Sequence, residues 1–320
     1  MSHSVTGRVV VLAGGLSHER DVSLKSGRRV SEALRAAGLE VEESDVDAHL
    51  LDALRADPPA CVVPLVHGEA GEDGSIREVL EMLDLPYVGS TPGACRLAFD
   101  KPVAKQVLAS AGISTPRSVA LPHEMFRELG ASTVIELLVS TIGLPLVVKP
   151  ARGGSALGVS VVRDVADLPG AMVGCFAYGS VALVEQFVSG HEVAVGVVDT
   201  GEGPTALPAV GISPRSGVYD YAARYTAGET EFHTPADLAP EVASDVARVA
   251  VTAHESLGLR HLSRSDLIVD ADGTVWFLEV NVAPGMTETS SVPLAIEASD
   301  WDLAGLCAAL VGLAVRPDRA

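Results

Sequence analysis

The sequence predicts an α/β protein of more than one domain. Three observations carry that expectation. Residues 8–83 alternate short β-rich runs with helical runs. A second unit, over 117–200, places a strand ending in lysine (146–150) before a loop of small residues. A third stretch, 265–282, reads as two apolar strands around Ala271-Asp272-Gly273, where glycine tolerates a positive φ. The chain's 320 residues exceed one typical domain and suit two or three.

Composition narrows the classes. A hydrophobic content of 48% allows a large core. The formal net charge of −19 argues against nucleic acid, whose phosphates select basic proteins. An anionic substrate must then be held by local cations and backbone N–H groups, against the overall field. Cys61, Cys95, Cys175 and Cys307 are far apart and form no C-x-x-C pair, as expected of reduced, buried thiols in a cytoplasmic protein. The first 15 residues hold too short an apolar run for a signal peptide. The run at 303–315 is shorter than the ~20 residues that span a bilayer and suits a buried helix, so no membrane partner is expected.

In chain order, residues 8–13 form a buried-strand pattern that runs into Gly14-Gly15-Leu16-Ser17. A helix is expected over 22–37, with Val22, Leu24, Val30 and Leu34 as its apolar positions. Strands follow at 39–45 and 61–66, and a helix at 76–83. This alternation implies a parallel sheet with covered faces, and ligands gather at the carboxyl ends of such strands. Two loops lie there: Ser17-His18-Glu19-Arg20, and the run from His67 to Gly74. Gly14-Gly15 is not a dinucleotide fingerprint, because G-x-G-x-x-G is absent. Asp100 is placed to cap a helix running to Ala111, with Gly112 just past its end. Lys101 in the first turn opposes the helix dipole, so its charge serves something else.

After Lys149, Ala151 to Gly158 is a small-residue loop whose N–H groups can close over phosphates. It is not a P-loop, since G-K-[ST] is missing. Residues 182–188 read as a strand, followed by Gly190-His191-Glu192. The stretch 216–235 has no apolar period and reads as a long loop, the type that serves as a lid. Helices are expected at 240–257 and within 294–315.

The hairpin at 265–282 carries Asp266, Glu279 and Asn281. Glu279 and Asn281 are two apart and share a strand face, and Asp266 lies within reach of a cross-strand pair. Acidic residues on hairpins are ordinarily solvated. Here Phe277, Leu278, Val280 and Val282 make the strand apolar on both faces, so a carboxylate and an amide need partners. Two carboxylates and an amide suit Mg²⁺ shared with substrate phosphates.

The motif D…E-V-N-V-A-P-G resembles the metal hairpin of the ATP-grasp ligases. Pro284-Gly285-Met286-Thr287, with Ser290, narrows the resemblance to the D-alanine–D-alanine ligases. The loop G-G-x-S-x-E-R-x-V-S, the run H-G-x-x-G-E-D-G and Phe99-Asp100-Lys101 match that family in order. The resemblance implies an ATP-grasp fold: an N-terminal parallel-sheet, Rossmann-like domain (1–100) followed by two α+β subdomains (101–195 and 196–320) that sandwich ATP. It implies a cytoplasmic homodimer that makes D-alanyl-D-alanine for peptidoglycan from two D-alanine molecules, through an acyl phosphate.

Site roles follow from the same resemblance. Glu19 would bind the ammonium of the first D-alanine, and His67 would lie near its carboxylate. Lys101, Lys149, Ser155 and Arg224 would meet ATP phosphates. Glu185, Gln186, Phe187 and Val188 would meet adenine, and Glu192 the ribose. Asp266, Glu279 and Asn281 would hold two Mg²⁺, or Mn²⁺. Arg264 and Gly285 would hold the tetrahedral oxyanion, and Ser290 the second carboxylate. A Ser155–Tyr225–Glu19 hydrogen-bond chain would join the lid to both loops. Two departures stand out: Ala156 where many relatives have a second serine, and Arg224 where the family has lysine. The alternatives are a sister ligase that takes D-lactate, D-serine or another amino acid second, and a catalytically silent nucleotide-binding regulator.

Overall fold

The computed structural model describes residues 5–215, 217, 219, 223, 224, 226 and 228–316. Its described strands form three sheets. In the first, β1 (Val9–Ala13), β2 (Val41–Asp45) and β3 (Cys61–Pro64) are parallel, in the order β2-β1-β3. Every residue of β1 is buried, as expected of a middle strand covered on both faces. Val30 and Leu34 of the helix Arg20–Ala36 pack on one face, and Leu50, Leu54 and Leu80 on the other. In this N-terminal unit three helices were not apparent from the apolar periodicity: Leu50–Ala56, Glu69–Glu72 and Pro92–Phe99. The last has a local signal, with Pro92 in its first turn and Thr91 Oγ1 accepting from Ala94 N at 3.4 Å.

The central sheet contains β4 (Ser118–Pro122), β5 (Leu146–Pro150), β6 (Ser160–Val162) and β7 (Val181–Gln186), in the order β4-β7-β5-β6. All its pairs are antiparallel. Leu146, Val148 and Val184 cluster with Leu138, Ile142, Leu168 and Met172 from its helices in a core of their own.

The third sheet runs β11-β10-β8-β12-β13, with β9 (Thr205–Ala206) on β8 (His191–Val198). Its other members are β10 (Val210–Pro214), β11 (Thr230–His233), β12 (Leu262–Val269) and β13 (Val275–Asn281). Two expectations change here. The long loop expected at 216–235 ends in a strand, because Thr230–His233 pairs antiparallel with β10. A boundary at 195/196 would cut β8, which pairs along its whole length with β12.

The helix Lys101–Ser110 packs Ala104 and Leu108 against Phe277, Leu267 and Val249 of this third unit. The N-terminal and C-terminal units also share a core, in which Val9, Leu34 and Val63 meet Leu306, Leu310 and Met286. Leu34 is fully buried there. Leu34→Ala should cost ~2–5 kcal/mol of stability, the range for a deleted core leucine. Urea denaturation checks this; a cost below ~1 kcal/mol would show that the two units do not depend on a common core.

Candidate active site

The first loop is fixed by charge at its base. The Asp45 carboxylate, at the end of β2, accepts from Gly15 N at 2.9 Å, Val46 N at 2.8 Å and Arg20 Nη1 at 3.0 Å. The Arg20 hydrogen bond is the main reason that this carboxyl is held down at about 2. Glu19 therefore starts its helix from an anchored neighbour. Two buried serines on the same helix do further work. Ser23 Oγ accepts from Gly14 N at 2.8 Å and donates to Leu65 O at 2.7 Å. Ser26 Oγ accepts from Met286 N at 3.0 Å and lies 3.3 Å from His67 Nε2. Ser26 thus joins the second loop to the loop after the hairpin. Burial pushes His67 down to about 4, so its ring is neutral at pH 7.

The second loop turns through the short helix Glu69–Glu72. Its Gly71 admits no side chain, since a Cβ would lie 1.9 Å from Val66 O. The turn buries Glu72, whose carboxylate accepts from Gly68 N at 3.2 Å.

The cations come from two neighbouring units. Lys149, on β5, is buried with its Nζ 2.5 Å from Glu185 Oε1. Lys101 is also buried; it donates to Gly153 O at 2.6 Å and lies 3.3 Å from Glu279 Oε2. Arg152, in the small-residue loop, is tied to Asp100 at 2.9 Å. In that loop Ser155 and Ala156 both adopt left-handed backbone, with φ of +53° and +55°. Two successive non-glycine residues in this region are strained, a feature that gathers at functional loops. The turn aims Ser155 Oγ at Glu19, to which it donates a direct hydrogen bond.

The hairpin register sets Asp266 opposite Glu279, with a bulge just beyond Asp266. Arg264 grips Asp266 as a fork, through Nε at 2.7 Å and Nη2 at 2.8 Å. Burial alone would raise the Glu279 carboxyl. The charges of Lys101, Lys149, Arg224 and Arg264 outweigh it and hold Glu279 at about 2. Among the described residues, no three His, Cys, Asp or Glu side chains form a closed metal cage. The hairpin offers two carboxylates and one amide oxygen, a partial set of hard donors that leaves positions for water and phosphate. That set fits Mg²⁺.

These groups surround two cavities that share Lys101, Asp266, Glu279, Gly153 and Arg224. The larger, about 640 Å³, is lined by Glu19, His67, Ser155, Arg264, Asn281, Gly285 and Ser290. The smaller, about 220 Å³, is lined by Lys149, Glu185, Gln186, Phe187, Val188 and Glu192. Every expected site residue among the described ones lines one or both. Tyr225 lies outside the described residues, as do 216, 218, 220–222 and 227 of the expected lid. Burial raises the Glu192 carboxyl to about 7. The Arg224 guanidinium stacks over the Tyr219 ring, 4.2 Å from its centroid.

Two antiparallel sheets that enclose a cation-lined cleft, beside a parallel-sheet domain, define an ATP-grasp protein. The model of the D-ala D-ala ligase C-terminus matches residues 107–312. A D-alanine–D-alanine ligase from Bordetella avium is 39% identical, over 95% of this chain and 94% of its own length. Two solved structures superpose closely. A D-Ala:D-Ser ligase from Enterococcus faecalis has a TM-score of 0.82 and 27% identity, covering 96% of this chain and 99% of its own. A D-alanine–D-alanine ligase from Bacillus anthracis, complexed with ATP, has a TM-score of 0.77 and 26% identity, covering 97% of each chain. The chain belongs to the D-alanine–D-alanine ligase family.

Sequence reasoning missed Ser26, the Arg20–Asp45 pair and Glu72. Glu72 stood inside the quoted motif H-G-x-x-G-E-D-G, but only the fold shows that it faces the larger cavity. Burial first, and the Glu19 charge second, raise its carboxyl from 4.5 to about 8. The folded state therefore keeps a proton that the unfolded chain releases, and this contribution to stability is lost as pH rises from 4.5 to about 8. Glu72→Gln mimics the protonated form. It should leave the melting temperature unchanged near pH 4.5 and raise it increasingly towards pH 8. Melting curves across this range check the sign; a constant offset would show that Glu72 is ionised in the fold.

Proposed function

We propose that this chain is an ATP-dependent ligase that joins two D-alanine molecules into D-alanyl-D-alanine. The observation that carries the reading is the hydrogen bond from Ser155 to Glu19. It ties the phosphate loop of one unit to the first-substrate loop of another, at the wall of a single cavity that also holds Arg264 and Ser290.

A free carboxylate is a poor electrophile, and phosphorylation by ATP makes it an acyl phosphate. Glu19 holds the first D-alanine by its ammonium, and neutral His67 lies near its carboxylate. Lys149 and Lys101 supply positive charge to the phosphates. Asp266, Glu279 and Asn281 would hold two magnesium ions, which would neutralise the β- and γ-phosphates when bound. The amine of the second D-alanine then attacks the acyl carbon and phosphate leaves. Arg264 and the Gly285 N–H stabilise the oxyanion, and Ser290 holds the second carboxylate. The product serves peptidoglycan synthesis in the cytoplasm, and the working form is a homodimer. No helix among the described residues is long and apolar enough to cross a membrane.

Phosphate release from ATP, measured over D-alanine, D-serine, D-lactate and the L-amino acids, tests the reading. Release should require D-alanine, and dipeptide should appear with it. Release only with D-serine or D-lactate beside D-alanine would assign a sister ligase. No release at all would assign a nucleotide-binding regulator. Glu279→Gln should abolish turnover while the fold remains, and near-normal rates at saturating Mg²⁺ would remove the metal assignment. Arg264→Ala should lower kcat by ~10²–10³ and move the KM for ATP much less, because the oxyanion exists only in the transition state. An unchanged kcat with a raised KM would make Arg264 a nucleotide ligand.

A further inference from the structure

Lys105 has no place in the chemistry described so far. It lies one helical turn beyond Lys101, is 3% exposed, and lines neither cavity. Its Nζ is 2.6 Å from Glu185 Oε2, and the Lys149 Nζ is 2.5 Å from Glu185 Oε1. The contact with Lys105 is a close ion pair whose angles fall outside those of a hydrogen bond. Three buried charges thus sit in a row, with one carboxylate between two ammonium groups. Burying two cations against one anion is costly unless each has a use. Lys149 and Glu185 face the nucleotide cavity, and Lys105 stands behind the wall.

The arrangement has a clear consequence when a nucleotide binds. Under the proposed function, Lys149 would be drawn towards phosphate and would give up part of its hold on Glu185. With no second cation, the carboxylate would be stranded in an apolar wall and would take up a proton. Burial is the main influence that pulls Lys105 down, to about 8, and the Lys149 charge acts the same way. Departure of Lys149 therefore strengthens the charge on Lys105 when Glu185 needs it.

We propose that Lys105 is a positioning residue for nucleotide selection, the permanent counter-ion that keeps Glu185 an ionised, fixed acceptor while Lys149 moves to the phosphates. This rests on the reading that Glu185 meets the base. An ionised carboxylate only accepts, so it pairs with the exocyclic amine of adenine and repels the O6 acceptor of guanine. A protonated Glu185 would carry a donor and tolerate guanine. Lys105 thus acts on the choice between purines through Glu185, without touching the ligand.

The test measures Kd for ATP and GTP, and steady-state kinetics with D-alanine, on the full chain. Lys105→Met should weaken ATP at least 10-fold and cut the ATP-to-GTP preference at least 10-fold. Its KM for ATP should move more than its kcat, and Lys105→Arg should restore most of the preference. Glu185→Gln should cut the preference as well. If Glu185→Gln cuts it and a folded Lys105→Met leaves it within twofold, the proposal falls and the placement of the base stands. If neither variant changes it, the base does not meet Glu185 and both fall. Should Lys105→Met fail to fold, the double variant K105M/E185Q removes the charges together. Its preference should equal that of Glu185→Gln alone, and a further loss would show that Lys105 acts by another route.

Discussion

The structure depends on charge balance in one cleft. Glu185 and Asp266 are buried and Glu279 is half-buried, and each has a cation: Lys149, Arg264 and Lys101 respectively. In a medium of low polarity an unpartnered charge would be excluded or neutralised, so the pairs hold the cleft open as a polar space. The chain as a whole carries −19, and the cations suited to an anionic substrate are held in place by carboxylates. Under the proposed reaction, ATP binding is an exchange of partners. Each lysine that turns to a phosphate releases a carboxylate, and Glu279, released by Lys101, is an oxygen donor suited to Mg²⁺.

That exchange explains why the site lies between units. The buried apolar residues of the central sheet form their own cluster, while the N-terminal and C-terminal units share one. Around the cleft, the central unit meets its neighbours through polar contacts: Ser155 to Glu19, Lys101 to Gly153 and Arg152 to Asp100. Such contacts can be exchanged for contacts with a ligand, atom for atom. An apolar seam at the same place would have to be opened to water.

Much of this was legible in the sequence wherever the signal was local. The hairpin showed itself through its Asp-Gly turn and apolar strands, and the register then set Asp266 opposite Glu279. The Asp100 cap and Gly112 bracketed a helix observed at Lys101–Ser110. Non-local pairings were not legible. Nothing near Arg20 announces Asp45, 25 residues on, and nothing in the 117–200 pattern distinguishes antiparallel from parallel pairing. Thr230–His233 has only Phe232 as an apolar residue, so its place on β10 comes from the edge it finds there and not from its own periodicity.

Lys105 shows the limit most plainly. On a helix, a lysine four residues after another lysine reads as part of a solvated face. Here the apolar face of that helix, Ala104 and Leu108, is drawn onto the third sheet. That packing rotates Lys101 and Lys105 towards the cleft, so two like charges that would repel on a surface find separate carboxylates, Glu279 and Glu185. One helix thus delivers a cation to the front of the site and another to its back. The two methylene-rich side chains reach different sheets, β13 of the third and β7 of the central one. The helix is the element through which the fold distributes positive charge between them, and burial of its apolar face on the third sheet sets which side turns to the carboxylates.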